Sequence, residues 1–135
     1  MSAVTIDRTG TRHGLLRMAM RADAVITGLA GVAGLPLAGW LAETSGTTTT
    51  FEYAMGAFFI AYGLVVFGLA ALPSVRRAGM GVVIGNLLYT VAAVALVIAD
   101  VFPLTTTGVV LTLGSGVYTA IFAELQYQGW RRVKA

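Results

Sequence analysis

VVIGNLLYTVAAVALVIA, residues 82–99, sets the fold class of this chain. The stretch holds no charged side chain, and its apolar residues run on consecutively, interrupted by polar side chains only at Asn86 and Thr90, rather than falling at every second position. A segment in hydrocarbon must satisfy its own backbone amides, which a helix does internally and an isolated strand does not. An apolar run without period-2 alternation therefore reads as a membrane-spanning helix and not as a barrel strand.

Three further runs of the same kind lie around it, at 24–41, 54–72 and 104–123. About 20 residues at 1.5 Å each cross a hydrocarbon core of roughly 30 Å. With their flanks the runs predict spans at about 16–42, 52–72, 79–100 and 104–128 within a single membrane domain, 1–135. The fold class expected is all-α, a four-transmembrane-helix bundle. Residues 1–13 lack apolar periodicity and are expected to form a flexible tail. Pro36 falls inside the first span and should kink it, because it removes a backbone donor and crowds the preceding turn. Pro73 and Pro103 fall at loops. The first run is too long for a secretory apolar region of about 7 to 15 residues, so it is read as a retained span.

Composition agrees with this reading. Of 135 residues, 57% are hydrophobic and 11% charged, which leaves too few charges to cover a water-facing surface. Mean hydropathy is +0.82. The net charge of +3 does not indicate a nucleic-acid partner, because the basic residues flank apolar runs and form no stripe interleaved with aromatics. Lipid headgroups suit them better.

Their placement also orients the chain. Arg8, Arg12, Arg17 and Arg21 precede the first span, Arg76 and Arg77 separate the second from the third, and Arg131, Arg132 and Lys134 follow the fourth. The other two loops hold Glu43, Glu52 and Asp100 with threonine runs. Positive-inside bias then places both termini and the middle loop in the cytoplasm. Trp40, Phe51 and Tyr53 mark the outer rim, Tyr127 and Trp130 the inner one.

Cysteine is absent, which excludes disulfides, thiol chemistry and iron–sulfur ligation. His13 is the one histidine, so no histidine pair is available to ligate a haem. There is no phosphate-binding glycine loop and no metal-spaced ligand set. Ser115, between Gly114 and Gly116, resembles a nucleophile motif only in its letters, because no strand precedes it and no base accompanies it. No catalytic, cofactor-binding or metal-ligating residue is assigned, and no cofactor is expected.

Two sets of residues stand out. Small residues at spacing three and four, Gly28, Gly31 and Gly34 in the first span with Gly81 and Gly85 in the third, predict faces where helices approach closely. Polar residues are costly within spans, and Asp23, Asn86, Glu124 and Gln126 are expected at one depth near the inner rim, with Arg21 above them. They form the candidate polar cluster.

At 16–31, LRMAMRADAVITGLAG, and at 85–93, GNLLYTVAA, the chain resembles a family of uncharacterised small four-span membrane proteins of actinobacteria. The resemblance rests on Arg21, Asp23 and Ala24 opening the first span, Asn86 in the third and Gln126 near the end of the fourth. It implies the architecture and the plasma membrane, and no activity. The chain departs from that pattern at Gly31 to Gly34, where the family carries an aromatic residue.

Two functions are compatible with these residues. The first is a non-enzymatic accessory subunit that packs against a larger membrane complex or against itself. The alternative is a small proton- or cation-coupled transporter acting as a homodimer, for which the small multidrug resistance proteins offer an architectural analogy, with four spans and an acidic residue in the first.

Overall fold

The computed structural model describes residues 2–133, with side chains described from 14 to 133. The described residues form five α-helices and no strand: α1 (Ser2–Gly34), α2 (Ala38–Ser45), α3 (Thr49–Ala70), α4 (Arg76–Ile98) and α5 (Thr106–Arg132). The side chains of Arg8, Arg12 and His13, and all of Lys134, lie outside the described residues. The backbone of α1 begins at Ser2, within the segment assigned from sequence to a tail.

Three helices, α3, α4 and α5, are long and apolar enough to cross a membrane. Only 22% of the most apolar window of each is buried within the chain, so most of that apolar surface needs cover from outside. Leu64, Leu88, Val91 and Ile98 are among the large side chains left outward. Acyl chains supply such cover without the cost water would impose.

The first predicted span is not one helix. Between α1 and α2 the chain turns by 90°, over three residues centred on Pro36. Pro36 offers no amide to continue the ladder, whose last bond before it is Leu35 N to Gly31 O at 3.2 Å, and beyond it Ala38 N reaches back only three residues, to Leu35 O at 3.3 Å. Tertiary contacts then hold α2 aside. Thr105 donates twice to its last turn, from N to Ser45 O at 3.0 Å and from Oγ1 to Thr44 O at 2.6 Å. Gly46 ends α2 at φ 81°, and a Cβ there would run into the Pro103 carbonyl.

Within the bundle α1 packs most closely on α3, and α4 on α5, while α1 also lies along α5. Although consecutive in sequence, α3 and α4 touch sparsely. The α1–α3 approach depends on glycine. A Cβ on Gly31 would stand 2.9 Å from the Ile60 nitrogen, and one on Gly63 would stand 2.7 Å from the Ala24 oxygen. Gly28 lies opposite Gly63, whereas Gly34 meets only a Leu41 methyl at 4.0 Å. A Cβ at Gly81 or Gly85 would meet nothing within 4 Å, so neither supports a helix contact inside the chain.

One end of the bundle is tightly filled. Leu16, Met20, Val66, Ala70, Val75, Val82 and Val133 form a buried cluster there, and Leu16 is wedged against Gly79 and Gly129. Arginines bind that end together. Arg17 Nη1 donates to Ala70 O at 2.6 Å and Leu72 O at 2.8 Å, placing a cation on the last carbonyls of α3. Arg76 donates from Nε to Val133 O at 2.9 Å, with its guanidinium 4.4 Å over the Trp130 ring.

Candidate functional site

Immediately beyond this apolar cluster lies a polar layer centred on Asp23, which is fully buried. Its Oδ2 accepts from Tyr62 OH at 2.7 Å, Asn86 Nδ2 at 3.0 Å and Gln126 Nε2 at 3.0 Å. Its Oδ1 accepts from Thr27 Oγ1 at 3.0 Å and Tyr118 OH at 3.0 Å. Five neutral donors from four helices thus surround one carboxyl group, with no basic side chain among them. Asn86 also donates to Gln126 Oε1 at 2.9 Å, which fixes the two amides against each other.

Helix geometry explains which sequence candidates meet here. Asp23, Asn86 and Gln126 do come together. Glu124 does not: it is exposed, accepts from Gln128 Nε2 at 2.8 Å and takes no part in the layer. Arg21 is likewise exposed and outside the layer, and Arg17 is committed to the end of α3. Two residues correspond to about 200° around a helix. Glu124 therefore points away from Gln126, and Arg21 away from Asp23, even though each pair shares a depth. The arginine roof expected over the cluster is absent among the described residues, and the apolar side chains of Leu16 and Met20 lie between the layer and the arginine end.

Thr27, Tyr62 and Tyr118 were not apparent as members from the sequence. A signal existed for each of them. Tyrosine in a span normally sits at a membrane rim, and a mid-span hydroxyl needs a buried partner. Thr27 lies four residues after Asp23, on the same helix face.

On the side of this layer away from the arginines is a cavity of about 260 Å³, to which all four long helices contribute. Its wall includes Phe58, Phe59 and Tyr62 from α3, Gly85, Asn86 and Tyr89 from α4, and Ser115, Tyr118 and Thr119 from α5, with Ile26, Thr27 and Ala30 from α1. Four of the five groups bonded to Asp23 belong to that wall, so the carboxylate stands one layer behind it. The cavity follows the sparse α3–α4 seam, across which Phe59 and Tyr89 pair at 6.1 Å. Phe58 borders it while half exposed. Gly85 contributes space, because no side chain projects there. Ser115 donates to Thr112 O at 2.7 Å and pairs with the Tyr89 hydroxyl at 3.0 Å.

Chemically the arrangement can bind but offers little for bond-making. Its polar groups are tyrosine and threonine hydroxyls, amides and a shielded carboxylate, and no group of three or more metal-ligating side chains occurs among the described residues. Compared with known proteins, the chain matches no family model, no curated protein and no solved structure.

Proposed function

We propose that this chain is a non-enzymatic membrane protein that binds a small solute inside its bundle, as a transporter of the small proton- or cation-coupled kind does. The observation that carries the reading is the 260 Å³ cavity beside a buried carboxylate that has no basic partner among the described residues. A bundle that only needed to pack would gain by filling that space, since cavities and buried ionisable groups both cost stability. Retaining both is reasonable where a ligand completes them.

In this reading the chain crosses a bacterial plasma membrane four times, with both termini in the cytoplasm. Supporting it, the segment Gly14–Gly34 with α2 passes as one bent span beside α3, α4 and α5. The arginines of the described residues, Arg17 and Arg21 midway along α1, Arg76 and Arg77 opening α4, and Arg131 and Arg132 closing α5, share one side of the bundle, and positive charge favours the cytoplasmic side. The solute enters sideways, through the α3–α4 seam. The suspected kinship with four-span actinobacterial proteins fits this placement and adds nothing on activity.

An accessory subunit, packing against a larger complex or a copy of itself, is the second reading. One observation favours it: Gly81 on α4, away from the cavity wall, is left with no helix against it. Purification in mild detergent separates the two. Solute binding expects a homogeneous small species whose thermal midpoint rises with small aromatic probes and does not rise in Gly85→Leu, whose side chain enters the cavity. A large partner retained in stoichiometric amount, with no probe effect in the wild-type protein, would instead establish the accessory role.

A further inference from the structure

Each hydroxyl on the cavity wall has one proton to give, and the structure accounts for where each goes. Tyr62 has Asp23 Oδ2 at 2.7 Å and Asn86 Oδ1 at 3.1 Å, and its proton serves the nearer carboxylate. Tyr118 and Thr27 each lie 3.0 Å from Asp23 Oδ1 and 3.1 Å from each other, so both protons stay within this trio whichever of the two hydroxyls donates to the other. Ser115 gives its proton to the Thr112 carbonyl, so in the Ser115–Tyr89 pair it is Tyr89 that donates. Thr119 and Thr90, 2.7 Å apart, direct theirs to each other and to the carbonyls of Gly116 and Asn86. Both amide protons of Asn86 are taken by Asp23 and Gln126.

Every donor on the wall is therefore turned into the protein, and the polar atoms left toward the cavity are hydroxyl oxygens with free lone pairs. The source of this bias is Asp23. An ionised carboxylate only accepts, and the five donors on its two oxygens match that form. An incoming acceptor, such as a carboxylate or phosphate, would meet lone pairs against lone pairs. An incoming donor finds three tyrosine oxygens. A positive charge would find more, because aromatic rings attract cations and the charge of Asp23 lies just behind Tyr62 and Tyr118 with nothing basic to offset it.

Resting on the solute-binding reading above, we infer that the cavity takes a small lipophilic ammonium ion, an N–H-bearing cationic head on an apolar body. Its N–H groups donate to the hydroxyl oxygens of Tyr62, Tyr89 and Tyr118, and its charge is balanced through those tyrosines by Asp23, which acts as a positioning residue without touching the ligand. The volume of about 260 Å³ lies just under the range of roughly 300–1,000 Å³ usual for drug-sized ligands, so the body is of single-ring size.

Three probes of similar size test this on the full chain in phosphatidylcholine nanodiscs, with empty nanodiscs subtracted: 2-phenylethylammonium, phenylacetate and ethylbenzene. Calorimetric titration should give the ammonium about tenfold or more the affinity of either other probe, the advantage expected of a desolvated cation among aromatic rings. Gly85→Leu, which adds a side chain where nothing lies within 4 Å of a Cβ, should abolish ammonium binding without unfolding the bundle. Tyr89→Phe lies outside the Asp23 layer and should weaken the ammonium severalfold while leaving ethylbenzene unchanged, a split that a purely structural role does not produce. If ethylbenzene or phenylacetate binds as tightly as the ammonium, or Tyr89→Phe weakens both probes alike, the ammonium assignment is wrong although the cavity still binds. If none of the three binds, or Gly85→Leu leaves binding intact, the cavity is not a ligand site and the solute-binding reading falls with it.

Discussion

At Gly63 a methyl group has nowhere to go, since a Cβ would stand 2.7 Å from the Ala24 carbonyl oxygen and 3.0 Å from the Gly28 Cα. Both obstacles are backbone, so relief requires α1 and α3 to part. Gly63→Ala and Gly31→Ala should each lower stability by about 1–3 kcal/mol, the usual range for overpacking. Gly81→Ala, with open space around it, should be neutral or stabilising by up to about 1 kcal/mol from helix propensity. Thermal midpoints of the three variants in one detergent check the order, and equal midpoints would mean that the α1–α3 approach is looser than described. At this scale the sequence revealed composition and depth but not azimuth. Spacing identified the small-residue face of α1, yet a Cβ is barred at Gly31 while at Gly28 and Gly34 it would meet its nearest neighbour only at 3.9 and 4.0 Å. Asp23, Asn86 and Gln126 were legible because polar residues in spans are few. Glu124 and Arg21 were grouped with them because depth along a helix says nothing about which way a neighbour two residues away points. The tyrosines escaped notice because a hydrophobicity reading treats their rings as apolar and overlooks their hydroxyls.

At the scale of elements, Thr105 joins two helices through three bonds. Its Oγ1 accepts from Gly108 N at 3.0 Å as the N-cap of α5, and also donates to Thr44 O at the end of α2, while its own amide donates to Ser45 O. Thr105→Val keeps the shape and the amide but removes both hydroxyl bonds. Loss of the cap alone costs about 1 kcal/mol, and the lost link to α2 adds to it. Thr105→Ser should recover most of the difference; circular-dichroism melts of the pair against wild type measure it. The helix break at Pro36 was legible from the missing donor. Its 90° angle was not, since proline only interrupts the ladder, and the direction of α2 is set by Thr105 and Gly46, distant in sequence from the break.

For the whole molecule, the helical type of the elements followed from apolar run lengths, because hydrocarbon leaves the backbone so few alternatives, but their number did not: five helices stand where four were expected, three of them long and apolar enough to span. The order of helices around the bundle did not follow, and neither did the cavity: the sparse α3–α4 seam depends on which faces carry glycine and which carry rings. Orientation in the membrane is testable directly. Reporter fusions after Thr48 and Thr106 should report the outer compartment, and fusions after Arg77 and Ala135 the cytoplasm. An outer signal from the Ala135 fusion would overturn the four-crossing topology, because an even number of crossings keeps both termini on one side.

The sharp turn at Pro36 also bears on how the molecule fits bilayers of different thickness. From Gly14 to Gly34, α1 is about 30 Å long at 1.5 Å per residue, already the depth of a typical hydrocarbon core. In the four-crossing reading proposed above, a bilayer of that thickness leaves α2 surplus to the crossing and along the interface, with Trp40 outward at the level where indole rings settle. Hydrophobic mismatch in that reading loads the Thr105 bonds that hold α2 before it reaches the four long helices, and leaves the cavity between them in register.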